Sequence, residues 1–176
     1  MILKLVRTPG IYIVGFMASG KTTIGRALAD HLGWDFLDLD EAIEAEQHCT
    51  IADIFDRFGE EHFRALETEA IRKQVRRVRT GRPVVMAVGG GAFAREENFE
   101  LLQENGVTVW LDCPLELARR RVAADCGRPL ARDPEKFAAL YEARRPVYSR
   151  ADYRIEVTGD DPAAAVKAIA ALPIFR

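Results

Sequence analysis

The chain has 176 residues, 48% of them hydrophobic, and a formal net charge of −2. That composition suits one globular domain with a full core, and it excludes a global charge that would draw the chain to nucleic acid or an anionic membrane. Cys49, Cys113 and Cys126 are odd in number and form no C-x-x-C pair, which argues against a disulfide framework and a zinc site and fits a reducing cytosol.

No stretch approaches transmembrane length, and the opening MILKLVRTPGIYIVGFM contains no long apolar h-region. The expectation is a cytoplasmic protein in which residues 1–176 form a single domain. The first strand candidate is Ile11 to Val14. It runs into GFMASGKTT, which fits G-x-x-x-x-G-K-[ST] through Gly15, Gly20, Lys21 and Thr22. In such a loop successive backbone N–H groups converge on phosphate oxygens, and the helix that follows adds the positive end of its dipole. Ala18, Ser19 and Thr23 complete the expected cradle. Lys21 would reach the β and γ phosphates, and the Thr22 hydroxyl would ligate Mg²⁺. The helix TIGRALADHL carries an apolar stripe of Ile24, Leu28 and Leu32.

A second strand, Trp34 to Asp38, ends in FLDLD. Ligands of open α/β sheets bind at the carboxyl ends of strands, so Asp38 and Asp40 are well placed there. Strand alternation would point the two the same way, though only approximately if Asp40 lies past the strand's end. One of them could instead cap the following helix, and Asp40 was a candidate for that role. Thr50 to Asp53 resembles a capping box opening a short helix that Gly59 ends. The next helix runs from about Glu60 to Arg79, with a stripe of Phe63, Leu66, Ala70 and Val75. In it Arg64 sits just outside the core, where an isolated arginine is usually a solvated charge. The basic run Arg72 to Arg79 reads as a solvated helix face, because Val75 and Val78 interrupt it at helical spacing.

Val84 to Val88 is a near-continuous apolar strand followed by Gly89, Gly90 and Gly91. Three glycines suit either a flexible turn or a ligand held against bare backbone. Val107 to Leu111 and Tyr153 to Val157 complete the strand set, and Pro162 to Leu172 is the last helix, with proline in its first turn. Strands and helices that alternate in this way imply a three-layer α/β fold with right-handed crossovers. Residues 123–136 are polar with two prolines and read as a mobile loop, in which Arg128 could close over a transferring phosphoryl group. Arg144 and Arg145 come late in a helix that Pro146 interrupts or ends.

The ordered set GFMASGKTT, FLDLD, IFDRFGEEHFR, GGG, RPL and RRPVY resembles the shikimate kinase family from about Ile11 to Tyr153. The resemblance implies a five-stranded parallel sheet of the nucleoside-monophosphate-kinase type with the second strand at its edge, and a lid over about 123–136. It also implies ATP- and Mg²⁺-dependent phosphorylation of the 3-hydroxyl of shikimate, a step of aromatic amino-acid biosynthesis. By the same resemblance, Asp38 lies near Mg²⁺ and holds it through water, and Asp40 binds substrate hydroxyls and faces the attacking oxygen. Arg64 and Arg144 hold the shikimate carboxylate, with Arg144 preferred to Arg145 by counting back from Pro146. Gly89, Gly90 and Gly91 offer backbone to the substrate, and Arg128 is the lid arginine. Arg121 and Pro162 fall near positions that flank adenine. The partners implied are shikimate and ATP, acting on a monomer.

Two departures stand out. Ala18 replaces a glycine often seen in the family's loop, a change expected to be harmless, and RPLA replaces the commoner RPLL. A gluconate-type kinase of the same fold is the nearest alternative, since gluconate is also a carboxylated polyol. A GTPase-type switch would need an N-K-x-D stretch for guanine, and the sequence has none.

Overall fold

The computed structural model describes residues 10–124 and 133–175. Five strands form one parallel sheet: β1 (Gly10–Val14), β2 (Asp35–Asp38), β3 (Val84–Ala87), β4 (Val107–Asp112) and β5 (Tyr153–Glu156), in the order β2-β3-β1-β4-β5. Each lies within one or two residues of its expected span, and β2 is at the edge. Registers such as Ile13 opposite both Ala87 and Val109 bring the carboxyl ends of β1, β3 and β4 to one rim. Every residue of these three strands is buried, as required of parallel strands covered by helices on both faces.

Eight α-helices accompany the sheet among the described residues: α1 (Lys21–Leu32), α2 (Leu39–Gln47), α3 (Ile51–Phe58), α4 (Glu60–Arg79), α5 (Glu96–Asn105), α6 (Leu115–Ala124), α7 (Pro134–Tyr148) and α8 (Pro162–Ala170). Thr50 and Asp53 form the reciprocal capping box that opens α3, and Gly59 both closes α3 and precedes α4. Asp161 caps α8, with Pro162 at its start. Pro146 does not stop α7, which continues to Tyr148.

One alternative is decided and two expectations need correction. The helix that follows FLDLD is capped by Asp38, whose carboxylate accepts from the N–H groups of Asp40 and Glu41. Asp40 is therefore a first-turn helix residue, and strand alternation does not govern its direction. The buried stripe of α4 runs through Phe63, Glu67, Ile71, Val75 and Val78, while Leu66 and Ala70 are only half-buried. Ala18 has φ 59, in the left-handed region where a side chain costs roughly 1–2 kcal/mol. Its replacement of glycine is thus accommodated with strain and is not free.

Candidate functional site

The phosphate loop bends between β1 and α1, with Gly15 at φ 151 and Gly20 at φ 95. Gly20 precedes α1 without any side-chain cap, and α1 has no acidic residue in its first turn. By contrast α2, α3, α7 and α8 are capped by Asp38, Thr50, Asp133 and Asp161. The first N–H groups of α1 are thus left for an anion. Lys21 Nζ donates to the carbonyls of Gly15 and Phe16, both at 3.0 Å, which holds it over the loop. The Thr22 hydroxyl donates to Asp38 Oδ2 at 2.5 Å. Ser19, fully buried, packs its Oγ against Gly15, where any Cβ would lie 3.0 Å from that atom.

Ala18, Gly20, Lys21, Thr22, Thr23 and Asp38 line a cavity of about 630 Å³ that also takes in Asp40, Gly90, Arg121 and Pro162, while Gly15 and Ser19 lie behind its wall. Arg121 is fixed from three sides. It donates to the Ala18 carbonyl at 2.9 Å, the Gly159 carbonyl at 2.8 Å and Asp160 Oδ1 at 3.1 Å. The sequence-predicted Arg121 and Pro162 therefore both line this cavity, and Arg121 is tied to the phosphate loop through Ala18.

A second cavity of about 280 Å³ adjoins the first and shares Asp40, Gly90, Met17 and Ile51 with it. Arg64, Glu67, Gly89, Gly91, Arg144 and Tyr148 complete much of its wall. Arg64 is not a solvated charge: its side chain is 19% exposed. It donates to Glu67 Oε2 at 2.6 Å and, more weakly, to Glu60 Oε1 at 3.2 Å. Burial alone would lower the Arg64 pKa, but the bonds and charges of Glu67 and Glu60 outweigh it and raise it.

The glycine triplet answers a packing demand. A Cβ on Gly91 would come within 2.6 Å of the Arg64 guanidinium. One on Gly89 would meet Asp40 Oδ1 at 2.9 Å and Glu67 Oε1 at 3.0 Å. The bare backbone thus makes room for three charged side chains, and Gly90 offers its carbonyl to the Tyr148 hydroxyl at 2.6 Å.

Burial, reinforced by the negative Asp38, raises the Asp40 carboxyl above its ordinary range, while Lys21 pulls it down. Glu67 is raised for the same first reason, and the bond from Arg64 opposes that. Sequence reasoning missed Glu67. The available signal was its place on the apolar stripe, four residues after Phe63 and four before Ile71. The two late arginines also separate. Arg144 lines the small cavity, whereas Arg145 pairs with Asp112 away from it. Arg128 and Cys126 lie outside the described residues, as does most of the expected lid; its bounds need correction at both ends, since residues 123–124 belong to α6 and residues 134–136 to α7.

Hard oxygen donors, the Thr22 hydroxyl and the Asp38 carboxylate, face the phosphate cavity together. Among the described residues no three His, Cys, Asp or Glu side chains cluster in a way that could hold a metal. The Thr22 and Asp38 oxygens are a donor set that suits Mg²⁺, which takes one or two protein oxygens and completes its shell with phosphate and water.

A nucleotide-sized cavity over a phosphate loop, opening into a smaller one walled by arginine and carboxylate, is the arrangement of a P-loop kinase that acts on a small molecule. A family model described as shikimate kinase matches residues 17–172. The chain belongs to the shikimate kinase family. A relative named shikimate kinase from Moorella thermoacetica is 45% identical over 92% of either chain. Among solved structures, shikimate kinase from Acinetobacter baumannii in complex with shikimate superposes with a TM-score of 0.85 at 37% identity, covering 96% of this chain and 94% of that one. A gluconokinase from Sinorhizobium meliloti, at 19% identity and TM-score 0.54 over 92% of this chain and 89% of that one, shares the fold alone.

Proposed function

We infer that this protein transfers the γ-phosphoryl group of ATP to the 3-hydroxyl of shikimate, giving shikimate 3-phosphate for aromatic amino-acid biosynthesis. The observation that carries this reading is the meeting of the two cavities at Asp40, with Arg64 and Arg144 on the wall of the smaller one. Its relatives' names and the gluconokinase's much lower likeness both favour shikimate over gluconate.

In this reading ATP lies along the larger cavity, its adenine between Arg121 and Pro162 and its phosphates on the N–H groups of residues 15–23. Lys21 exchanges its loop carbonyls for β and γ oxygens. Thr22 would hold Mg²⁺ directly and Asp38 through water, and the bound ion would neutralise phosphate charge. The shikimate carboxylate takes the two-pronged face of Arg64 from Glu60, whose contact is long and exposed. Glu67, short and buried, keeps the guanidinium in place. Arg144 closes the clamp. Asp40 accepts the hydrogen bond of the 3-hydroxyl and aims its oxygen at phosphorus. Because the transition state is loose, orientation matters more here than early deprotonation. The O–P bond to shikimate forms, the bond to the bridging oxygen of ADP breaks, and the hydroxyl proton leaves toward Asp40. Arg128, by resemblance, stabilises the γ-phosphoryl oxygens from the expected lid. The protein works as a single-domain cytoplasmic monomer.

Measuring ADP release with shikimate, gluconate and nucleoside monophosphates tests the reading. Turnover is expected with shikimate alone, and comparable turnover with gluconate would overturn it.

A further inference from the structure

Helix α7 lines the acceptor cavity with Arg144 and packs Phe137 and Tyr141 edge-on against Phe16, but its backbone ladder is broken. Pro146 sits inside the helix and has no N–H to give to Glu142, so one rung of the hydrogen-bond ladder is missing two residues from Arg144. Three polar anchors, spaced along one side of the helix, take over. The Tyr141 hydroxyl donates to the Cys113 carbonyl at 2.9 Å. Arg145 grips Asp112 with both Nη atoms, at 2.6 and 3.2 Å, and also donates to the Tyr141 hydroxyl at 2.8 Å. The Tyr148 hydroxyl donates to Gly90 O. Residues 141, 145 and 148 follow helical spacing, so they fix the rotation of α7 about its axis. The adjoining face, Leu140, Arg144 and Tyr148, is the one that lines the cavity.

We propose that Arg145 is a positioning residue for the acceptor: by clamping Asp112 at the end of β4, it sets the rotation of α7 that aims Arg144 at the substrate carboxylate. The proposal rests on the shikimate reading above. Asp112 is nearly buried, its side chain 8% exposed, and is also paired with Arg154 of β5 at 2.7 Å. The anchor is thus tied to the sheet and not to a mobile partner. The Arg145 guanidinium lies over the Trp110 ring, 5.1 Å from its centre, which fixes its plane as well as its charge. A lysine could match one oxygen of Asp112 but not the fork. The tandem arginines then divide the labour, one gripping the ligand and the other gripping the fold.

The test is a kinetic double-mutant cycle on the whole chain, with Arg144→Ala, Arg145→Ala and both together, in shikimate and ATP titrations. Misplacing Arg144 through Arg145→Ala should raise the shikimate KM about tenfold, with the ATP KM and the saturated kcat within about twofold of wild type. Arg145→Lys should recover only part of the loss. In the Arg144→Ala background, Arg145→Ala should add nothing, because its effect passes through Arg144. With an uncharged ester of shikimate, Arg145→Ala and wild type should be indistinguishable. If Arg145→Ala fails to fold, Asp112→Asn breaks the same fork and should show the same split. Additive losses, an unchanged shikimate KM, or parallel rises in both KM values would overturn the proposal. Wild type without shikimate-dependent ADP release would overturn the functional reading itself, an outcome separable from all of these.

Discussion

Asp40 is held where its charge is disfavoured. Burial and Asp38 raise its pKa, so the folded state binds its proton more tightly than the unfolded chain does. A raised pKa means this carboxyl's favourable contribution to folding is complete below the ordinary value of 3.8 and is lost as pH rises through the folded value. At pH 7 the ionised Asp40 therefore costs stability. Asp40→Asn should remove that cost and raise stability by up to about 1 kcal/mol at pH 7 while abolishing most turnover. The gain should shrink as pH falls through the carboxylate range. Denaturant melts at pH 7 and pH 4 check it, and a variant less stable than wild type at pH 7 would refute it. Arg64 poses the complementary question of shape against charge. Arg64→Lys keeps the cation but loses the fork that now serves Glu67 and Glu60. With charged hydrogen bonds contributing roughly 1.5–3 kcal/mol each, kcat/KM for shikimate should fall roughly ten- to a hundredfold, with ATP affinity unchanged. Near-normal shikimate kinetics would leave Arg64 as the partner of Glu67 alone, with no part in holding the substrate. Arg64 is also where sequence reading stops short. Its role follows from Glu67, whose one sign in the sequence is its place four residues from Phe63 and four from Ile71, and Leu66 beside it reads as the apolar stripe in its stead. Arg144 and Arg145 are chemically identical side chains; counting back from Pro146 favours Arg144, and the place of Asp112 supplies the physical reason.

At the scale of elements, the signals that were legible are those carried by backbone chemistry. The glycines and lysine of the phosphate loop, the Thr50 capping box and the Pro162 helix start all demand one local conformation, and each adopts it. The stripe of α4 was less legible, because a buried ion pair occupies a position where an apolar residue is the usual marker. Asp38 joins both kinds of demand. It caps α2 through Asp40 N at 2.9 Å and accepts from Thr22 at 2.5 Å with its other oxygen. Asparagine caps helices about as well as aspartate, whereas alanine does not. Asp38→Asn should therefore keep the melting point near that of wild type while weakening the Mg²⁺ dependence of turnover. Asp38→Ala should do both kinds of damage, with a stability loss of about 0.5–2 kcal/mol. Thermal melts beside Mg²⁺ titrations separate the two. An Asp38→Asn variant that melted like Asp38→Ala would mean that the cap needs the negative charge at the helix dipole.

Across the whole molecule, the carboxyl ends of β1, β3 and β4 gather loops that are far apart in sequence, and α6 leans on the first of them through Arg121 and the Ala18 carbonyl. This loop holds strain at Ala18 and leaves the amides of α1 without a side-chain cap. A bound polyphosphate should satisfy those amides and stabilise the entire domain by linkage. At 100 times its dissociation constant a ligand that binds only the native state contributes about 2.7 kcal/mol. For a chain of this length each 1 kcal/mol shifts the melting point by roughly 2–4 °C. MgATP at that level should therefore raise Tm by about 5–10 °C. Lys21→Ala removes the cation proposed to bridge the loop and the phosphates, without touching the core, so its own Tm should stay close to wild type. At the same MgATP concentration its ligand-induced rise should fall to a small fraction of the wild-type shift, and turnover should nearly vanish. Differential scanning fluorimetry with and without nucleotide reads both quantities at once. A full thermal shift in Lys21→Ala would show that the phosphates are held elsewhere, and the donor half of the site would have to move with them.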